Sequence, residues 1–92
     1  MVTEPKFVCP CCGFRTLSEE PPGTFDVCRV CNWEDDNVQY ADPALAGGAN
    51  VVSLDTARAN FVRFRVSDLR FKDQVRPPTP EEATARAKEG GK

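Results

Sequence analysis

The chain reads Cys9-Pro10-Cys11-Cys12-Gly13 near its start and Cys28-Arg29-Val30-Cys31-Asn32-Trp33 further on. Pairing Cys9 with Cys12 and Cys28 with Cys31 gives the spacing C-x2-C-x15-C-x2-C, which is typical of structural zinc sites. Two thiolates three residues apart on a tight turn can occupy adjacent corners of a tetrahedron, about 2.3 Å from the metal. Gly13 and Asn32 each follow a pair, and both residue types tolerate the positive φ that such turns need. The sequence therefore predicts a zinc site with the ligands Cys9, Cys12, Cys28 and Cys31.

Three other interpretations of these cysteines stay open at this point. Ordinary packed thiols explain one or two cysteines, but two matched pairs seldom arise that way. A redox dithiol usually lies at the start of a helix, where its pKa is lowered, and Pro10 and Gly13 do not supply such a start. An iron site of the rubredoxin kind uses the same four ligands. Metal analysis separates these alternatives.

The chain has five cysteines, and Cys11 is the one that belongs to neither of the two C-x2-C pairs. As the direct neighbour of Cys12, it cannot easily reach the same tetrahedral site. We expect a free thiol packed beside the turn, and a role in oxidation is the alternative.

The composition limits the chemistry that the chain can perform. Its 92 residues contain no His, which excludes Ser-His-Asp and Cys-His nucleophiles and all His-ligated metal sites within this chain. A chain of this length has a marginal core, so a metal staple is expected. No apolar run reaches the ~18 residues of a membrane span, and the first residues lack the layout of a signal peptide. We therefore expect a cytoplasmic protein.

Hydrophobic spacing and turn residues predict a small α+β fold. We expect a zinc-ribbon-like module at the N-terminus, with short strands at 7–9, 14–17 and 24–27 and two cysteine knuckles, packed against a C-terminal helix. That helix is predicted over about 53–65, with Ser53 as its N-cap and one apolar stripe. Ser67-Asp68 starts a second short helix, and residues 34–50 form an ordered loop with at most a helical turn. Trp33 and Tyr40 are predicted to pack over the knuckles.

The C-terminal end is predicted to carry no regular structure. Pro77-Pro78-Thr79-Pro80 should end it, because prolines disfavour both helix and sheet. Residues 1–82 then form a single domain, followed by a flexible tail over 83–92 that is poor in residues to bury.

The ordered string of motifs resembles the bacterial cysteine-rich CPCC domain. The likeness extends over about residues 7–82 and rests on the following segments: Cys9-Pro10-Cys11-Cys12-Gly13, Thr16-Leu17, Pro21 to Asp26, Cys28 to Asp36, Gly47 to Asn50, Ser53-Leu54, Ala57-Arg58, Asn60-Phe61, and Val75 to Glu82. One departure is Arg65, which stands where a glycine is expected after the helix. The resemblance implies a small zinc-ribbon-like protein and no settled activity.

The charge distribution favours a protein partner. Residues 1–50 hold three bases against eight carboxylates, whereas residues 51–92 hold nine bases against six. We expect the carboxylates of the loop, Glu34, Asp35, Asp36 and Asp42, to form a partner surface. An inhibitor or immunity-type partner of a secreted bacterial toxin fits the small size and the acidic face.

The other functional classes receive less support from the sequence. The same carboxylates are the one cluster to consider for a second, hard metal, but consecutive charged residues are usually solvated or cap a helix. A zinc ion held by four cysteines has no open position to activate water, so our prediction leans against an enzyme. The overall charge of −2 lacks the basic footprint of a dedicated nucleic-acid binder, and we expect no nucleic-acid partner.

Overall fold

The computed structural model describes residues 7–83, which form a two-stranded sheet followed by two α-helices and a 3₁₀ helix. The strands are β1 (Phe7–Val8) and β2 (Arg15–Leu17), and the α-helices are α1 (Asn37–Ala41) and α2 (Leu54–Phe64). The 3₁₀ helix covers Leu69–Gln74. The predicted small α+β fold is confirmed, with the cysteine module first and the helices after it.

An irregularity in the sheet changes the direction of one side chain. β1 and β2 are antiparallel, with Phe7 opposite Leu17 and Val8 opposite Arg15, so Thr16 is an extra residue in β2. A bulge of this kind breaks the alternation of faces and re-aims a side chain. Consequently, both Thr16 and Leu17 are buried, although they are neighbours in a strand.

The strand predicted over residues 24–27 is wrong. Phe25 has a φ of +60°, which a regular strand does not allow. The segment instead pairs irregularly with the residues after the second knuckle, through one isolated bridge between Val27 and Glu34 and a hydrogen bond from Asp35 N to Asp26 O of 2.9 Å. These contacts make a hairpin-like arm that carries the second knuckle at its tip.

The segment 34–50 is ordered around the side chain of Gln39. This residue lies on α1, is fully buried, and donates from Nε2 to the backbone oxygens of Leu45, Asn50 and Val52 at 3.0–3.1 Å. Its Oε1 accepts from the backbone and side chain of Asn50. The segment is the predicted ordered loop, but its five-residue helix is slightly longer than the single helical turn that was predicted. Tyr40 is 45 % exposed and lines a surface groove with Pro10 and Gly13 of the first knuckle, so it lies beside that knuckle and outside the buried core.

Helix α2 supplies the apolar face that covers the cysteine module. Ser53 caps it, accepting from Thr56 N at 3.1 Å, and Leu54, Ala57 and Phe61 are buried as the stripe predicts. Phe61 meets Phe14 of the first knuckle edge to face, with ring centroids 6.0 Å apart. The knuckles and the helix therefore share one core.

Arg65 ends α2 in the left-handed conformation, with a φ of +64° and its N–H bonded to Phe61 O. This is the position where the resemblance led us to expect a glycine, and the helix ends there although the residue is Arg. The helix predicted over 53–65 thus runs Leu54–Phe64 between two capping residues. The short helix predicted after Ser67-Asp68 is the 3₁₀ helix, with Asp68 as its cap.

Regular structure does not end at the proline segment, contrary to the prediction. Residues 80–83 are helical. Thr79 and Glu82 form a reciprocal capping box: Thr79 N donates to Glu82 Oε1 at 2.8 Å, and Glu82 N donates to Thr79 Oγ1 at 3.2 Å. Pro80 takes the first helical position, where its missing N–H costs nothing.

The boundary of the predicted tail is also corrected by one residue. Ala83 is helical and packs against the core, so the predicted tail does not begin at residue 83. Residues 84–92 lie outside the described part of the chain.

No helix within residues 7–83 has the length and apolar character needed to cross a lipid bilayer.

Candidate metal centre

The two cysteine pairs lie on turns with the same backbone construction. In the first turn, Gly13 N donates to Cys9 O at 2.9 Å and Cys9 N donates to Phe14 O at 2.9 Å. In the second, Asn32 N donates to Cys28 O at 2.8 Å and Cys28 N donates to Trp33 O at 2.9 Å. The residue after each pair has positive φ, +82° for the glycine and +71° for the asparagine. The conformations predicted from these two residue types are confirmed.

The four sulfur atoms have the separations that one tetrahedral metal requires. Cys9 Sγ lies 3.7 Å from Cys31 Sγ, and Cys12 Sγ lies 3.7 Å from Cys28 Sγ. All four sulfurs lie within 4.8 Å of one another. Metal–sulfur bonds of about 2.3 Å imply a tetrahedral edge of about 3.8 Å. The cluster could therefore hold a metal ion. Each of the two close sulfur pairs joins a cysteine of the first turn to a cysteine of the second.

Cys28 Sγ is in contact with three hydrogen-bond donors. The N–H groups of Val30 and Cys31 both reach its sulfur at 3.4 Å, as is common in such turns. Thr16 Oγ1 lies 2.9 Å from the same sulfur. Toward a thiolate the hydroxyl must donate, because the sulfur then has no proton. The bulge in β2 is what brings this hydroxyl into the core.

Close packing separates the pKa values of the four thiols. Hydrogen bonds from Cys12, Cys31 and Cys9 hold the pKa of Cys28 well below its usual range. The pKa of Cys12 is raised by its hydrogen bonds to Cys28 and Cys31, and that of Cys9 is raised mainly by Cys12. Burial is the largest cause that raises the pKa of Cys31. Four thiolates this close need a cation among them, and a coordinating metal deprotonates thiols outright.

All four cysteines are fully buried, and aromatic residues complete the enclosure. Trp33 is fully buried in the same cluster, as predicted, and Phe14 occupies the matching position after the first knuckle. A metal held here by four sulfurs would have no open position for water or substrate. Its role would be to join the two turns.

Cys11 lies beside the site and outside the group of four sulfurs. It is buried, with 8 % of its surface exposed, and is a free cysteine. This placement agrees with the packed free thiol that the sequence predicts. The alternative, a role of Cys11 in oxidation, stays a prediction.

The predicted acidic surface is largely absent from the exterior of the molecule. Asp35 is fully buried, and its Oδ2 accepts from the backbone and hydroxyl of Thr24 at 2.9 and 2.8 Å. Asp36 is 6 % exposed and caps α1 by accepting from Val38 N at 2.7 Å. Both residues are used inside the fold, so the prediction that they form a partner surface is wrong.

Two carboxylates of the predicted surface are left in reach of a partner. Glu34 is half-buried and Asp42 is exposed. Within residues 7–83, these acids do not join the other two in a metal-binding group.

Thr16 is the residue near the metal centre that the sequence pattern did not assign to it. Its contact with Cys28 depends on the bulge, and a single Thr in a short strand carries no spacing signal. The order of motifs in which Thr16-Leu17 follows the first knuckle was the available clue.

The comparisons with known proteins bear on the whole described chain. A search of curated proteins finds no match. The family model of cysteine-rich CPCC proteins matches residues 7–82, which include both knuckles, α2 and the capping box. The chain therefore belongs to the cysteine-rich CPCC family.

Proposed function

We propose that this protein is a structural-zinc module that acts by binding a protein partner. The observation that carries the zinc assignment is the closed cluster of four buried sulfurs with tetrahedral separations. A four-thiolate zinc has every coordination position filled by the protein. Its contribution is therefore to folding, and structural zinc supplies an apparent free energy of about 10–16 kcal/mol in zinc-finger peptides.

The composition of the core explains why the fold needs this contribution. The main buried cluster holds the four ligands together with Phe14, Leu17, Trp33, Leu54, Ala57 and Phe61, among others. Without a cation, the centre of this small core would consist of closely packed thiols whose pKa values are shifted in opposite directions. Chains of this size rarely reach stability through apolar burial without a staple.

The exposed apolar side chains support an interaction role. Val62, Val51, Phe25 and Leu69 are each at least half exposed. These side chains are available to a partner protein, and the proposal requires some of them to form one contiguous patch. The narrower form of the proposal is an inhibitor or immunity-type protein, which the small size supports and for which Glu34 and Asp42 remain as accessible acids.

The zinc assignment is tested by elemental analysis of protein purified without added metal. We expect one zinc per chain in the wild type and in Cys11→Ser, whose thiol lies outside the four-sulfur group. We expect Cys28→Ser to lose metal and to unfold at a lower denaturant concentration, because it removes one of the four sulfur ligands together with its three hydrogen-bond contacts. Iron with its colour would replace zinc in the assignment, and a folded chain without metal would refute it.

The interaction role is tested with purified, metal-loaded bait and its Cys28→Ser variant in native lysate. A specific partner should be retained by the folded bait and lost with the variant. Purified partner must then bind in solution with 1:1 or other fixed stoichiometry. Retention of nucleic acid in place of protein, with strong salt dependence, would contradict the proposal.

A further inference from the structure

A groove on the C-terminal half of the molecule has an apolar floor. It lies between α2, the 3₁₀ helix and the extended segment that follows it, and has a volume of about 260 Å³. Val30 of the second knuckle and Phe61 of α2 are buried in it, while Phe64, Val75 and Pro78 are half-buried along its sides. The groove therefore reaches from the surface down to the cysteine module.

The rim of the groove is cationic. Three of its lining residues are bases, namely Arg65, Lys72 and Arg76, and none of the lining residues is a carboxylate. Arg76 is already paired with Glu82 through two hydrogen bonds of 2.9 Å. Arg65 and Lys72 make no ion pair with another described residue, and the Arg65 guanidinium stacks 4.7 Å from the Phe61 ring centroid. Two unpaired positive charges thus face the opening of an apolar groove.

We propose that this groove binds a short acidic peptide segment of a protein partner, in which an apolar side chain is flanked by carboxylates. The apolar side chain packs on the half-buried Phe64 and Val75, and the carboxylates meet Arg65 and Lys72. The inference rests on the proposed interaction function and gives it a site and a partner chemistry. It places the partner surface on the basic half of the molecule.

The dimensions and charges select this occupant over the alternatives. The volume of about 260 Å³ lies near the lower end of the range of small-molecule sites, and one or two side chains suffice to fill it. The chain's own residues 84–92 carry three bases and one acid, so they have the same sign as the rim. A nucleic acid needs more than two free cations and a stacking surface that is open to bases.

The test uses the full-length, metal-loaded chain and a labelled decapeptide with a central Leu-Phe pair flanked by glutamates. A matched peptide has lysines in place of the glutamates. Binding is followed by fluorescence anisotropy at low and physiological salt, and by NMR shift changes in the ¹⁵N-labelled protein. Protein variants are Lys72→Glu in the rim and Arg29→Glu, which makes the same charge change on an exposed residue outside the groove.

We expect the acidic peptide to bind at least 10-fold more tightly than the lysine peptide, with NMR shifts concentrated at Val30, Phe64 and Val75. Lys72→Glu should weaken binding about 10-fold, since like charges then face each other, while Arg29→Glu should stay within about 2-fold. Equal binding of both peptides, no binding up to millimolar concentration, or shifts elsewhere would overturn the proposal. So would self-association of the chain through this groove, seen as a concentration-dependent mass.

These outcomes are separable from the test of the proposed function. A chain that holds zinc and retains its partner, but ignores the peptide and tolerates Lys72→Glu, refutes the groove and leaves the function standing. A chain without metal refutes the zinc module before any peptide is added.

Discussion

Replacing Thr16 by Val tests whether a side chain outside the ligand set tunes the metal centre. The Thr16 hydroxyl lies 2.9 Å from Cys28 Sγ and is buried. Valine keeps the β-branched shape, so the bulge in β2 and the local packing should persist. What the substitution removes is one hydrogen-bond donor to a thiolate.

The expected loss of zinc affinity follows from the hydrogen bonds that Cys28 Sγ keeps in the variant. Cys28 Sγ retains the N–H groups of Val30 and Cys31, both at the longer distance of 3.4 Å. A hydrogen bond to a charged group is worth about 1.5–3 kcal/mol, and loss of a partner of a metal ligand typically weakens metal binding 10- to 100-fold. Because two donors remain, we expect the low end, a dissociation constant raised about 10-fold, or about 1.4 kcal/mol.

The assay is competition for zinc against a chromogenic chelator of known affinity at neutral pH. Thr16→Ser retains the hydroxyl and should stay within about 2-fold of the wild type. Wild-type affinity in Thr16→Val would refute the role of the hydroxyl. Equal weakening in both variants would assign the effect to altered packing around residue 16, because Thr16→Ser keeps the hydroxyl.

Three further predictions concern stability. In denaturant titrations, the free energy of unfolding of Arg65→Gly should be about 1 kcal/mol higher than that of Arg65→Ala, because a φ of +64° strains a residue with a Cβ. Both variants lose the stacking on Phe61, so the comparison isolates the strain, and equal stability would contradict it. Gln39→Glu should lower the free energy of unfolding by at least about 2 kcal/mol in the same titration. In the variant, a carboxylate oxygen faces the carbonyls that accept from Nε2 in the wild type. A loss below about 0.5 kcal/mol would show that the network is dispensable. The hydrogen bond from Arg76 holds the pKa of Glu82 below its usual value. The difference in unfolding free energy between wild type and Glu82→Gln should therefore be largest near pH 6 and shrink as the pH falls through that lowered native pKa. A difference that is independent of pH between 6 and 2 would contradict this.

Features built from short-range interactions were predictable from the sequence. The knuckles depend on Cys spacing and on the residue type at positions 13 and 32. Both were predictable because the backbone hydrogen bonds that close each turn join residues at most five positions apart. Helix α2 was predictable for the same reason, as its cap and apolar stripe are encoded in consecutive turns. The capping box of Thr79 and Glu82 is equally local, but three prolines stand beside its Thr-x-x-Glu pattern, and prolines generally indicate the end of regular structure.

The wrong predictions concern residues whose partners are distant or whose backbone is irregular. Asp35 and Asp36 look like a solvated charge run, yet each meets backbone donors from another segment, Thr24 and Ala49 respectively. Tyr40 was expected over the knuckles. It lies beside the first one, but the buried direction on α1 belongs to Gln39, so the ring stays partly at the surface.

Composition and spacing alone were enough to specify a four-cysteine clamp under one amphipathic helix, because ligand geometry and helical periodicity are properties of short stretches of chain. Three-dimensional packing alone decided which acids are buried, which hydroxyl reaches Cys28 and where an apolar groove gains a cationic rim. Those features join residues that lie far apart along the chain, and their contacts form only when the turns, the bulge and the helix have been brought around the same core.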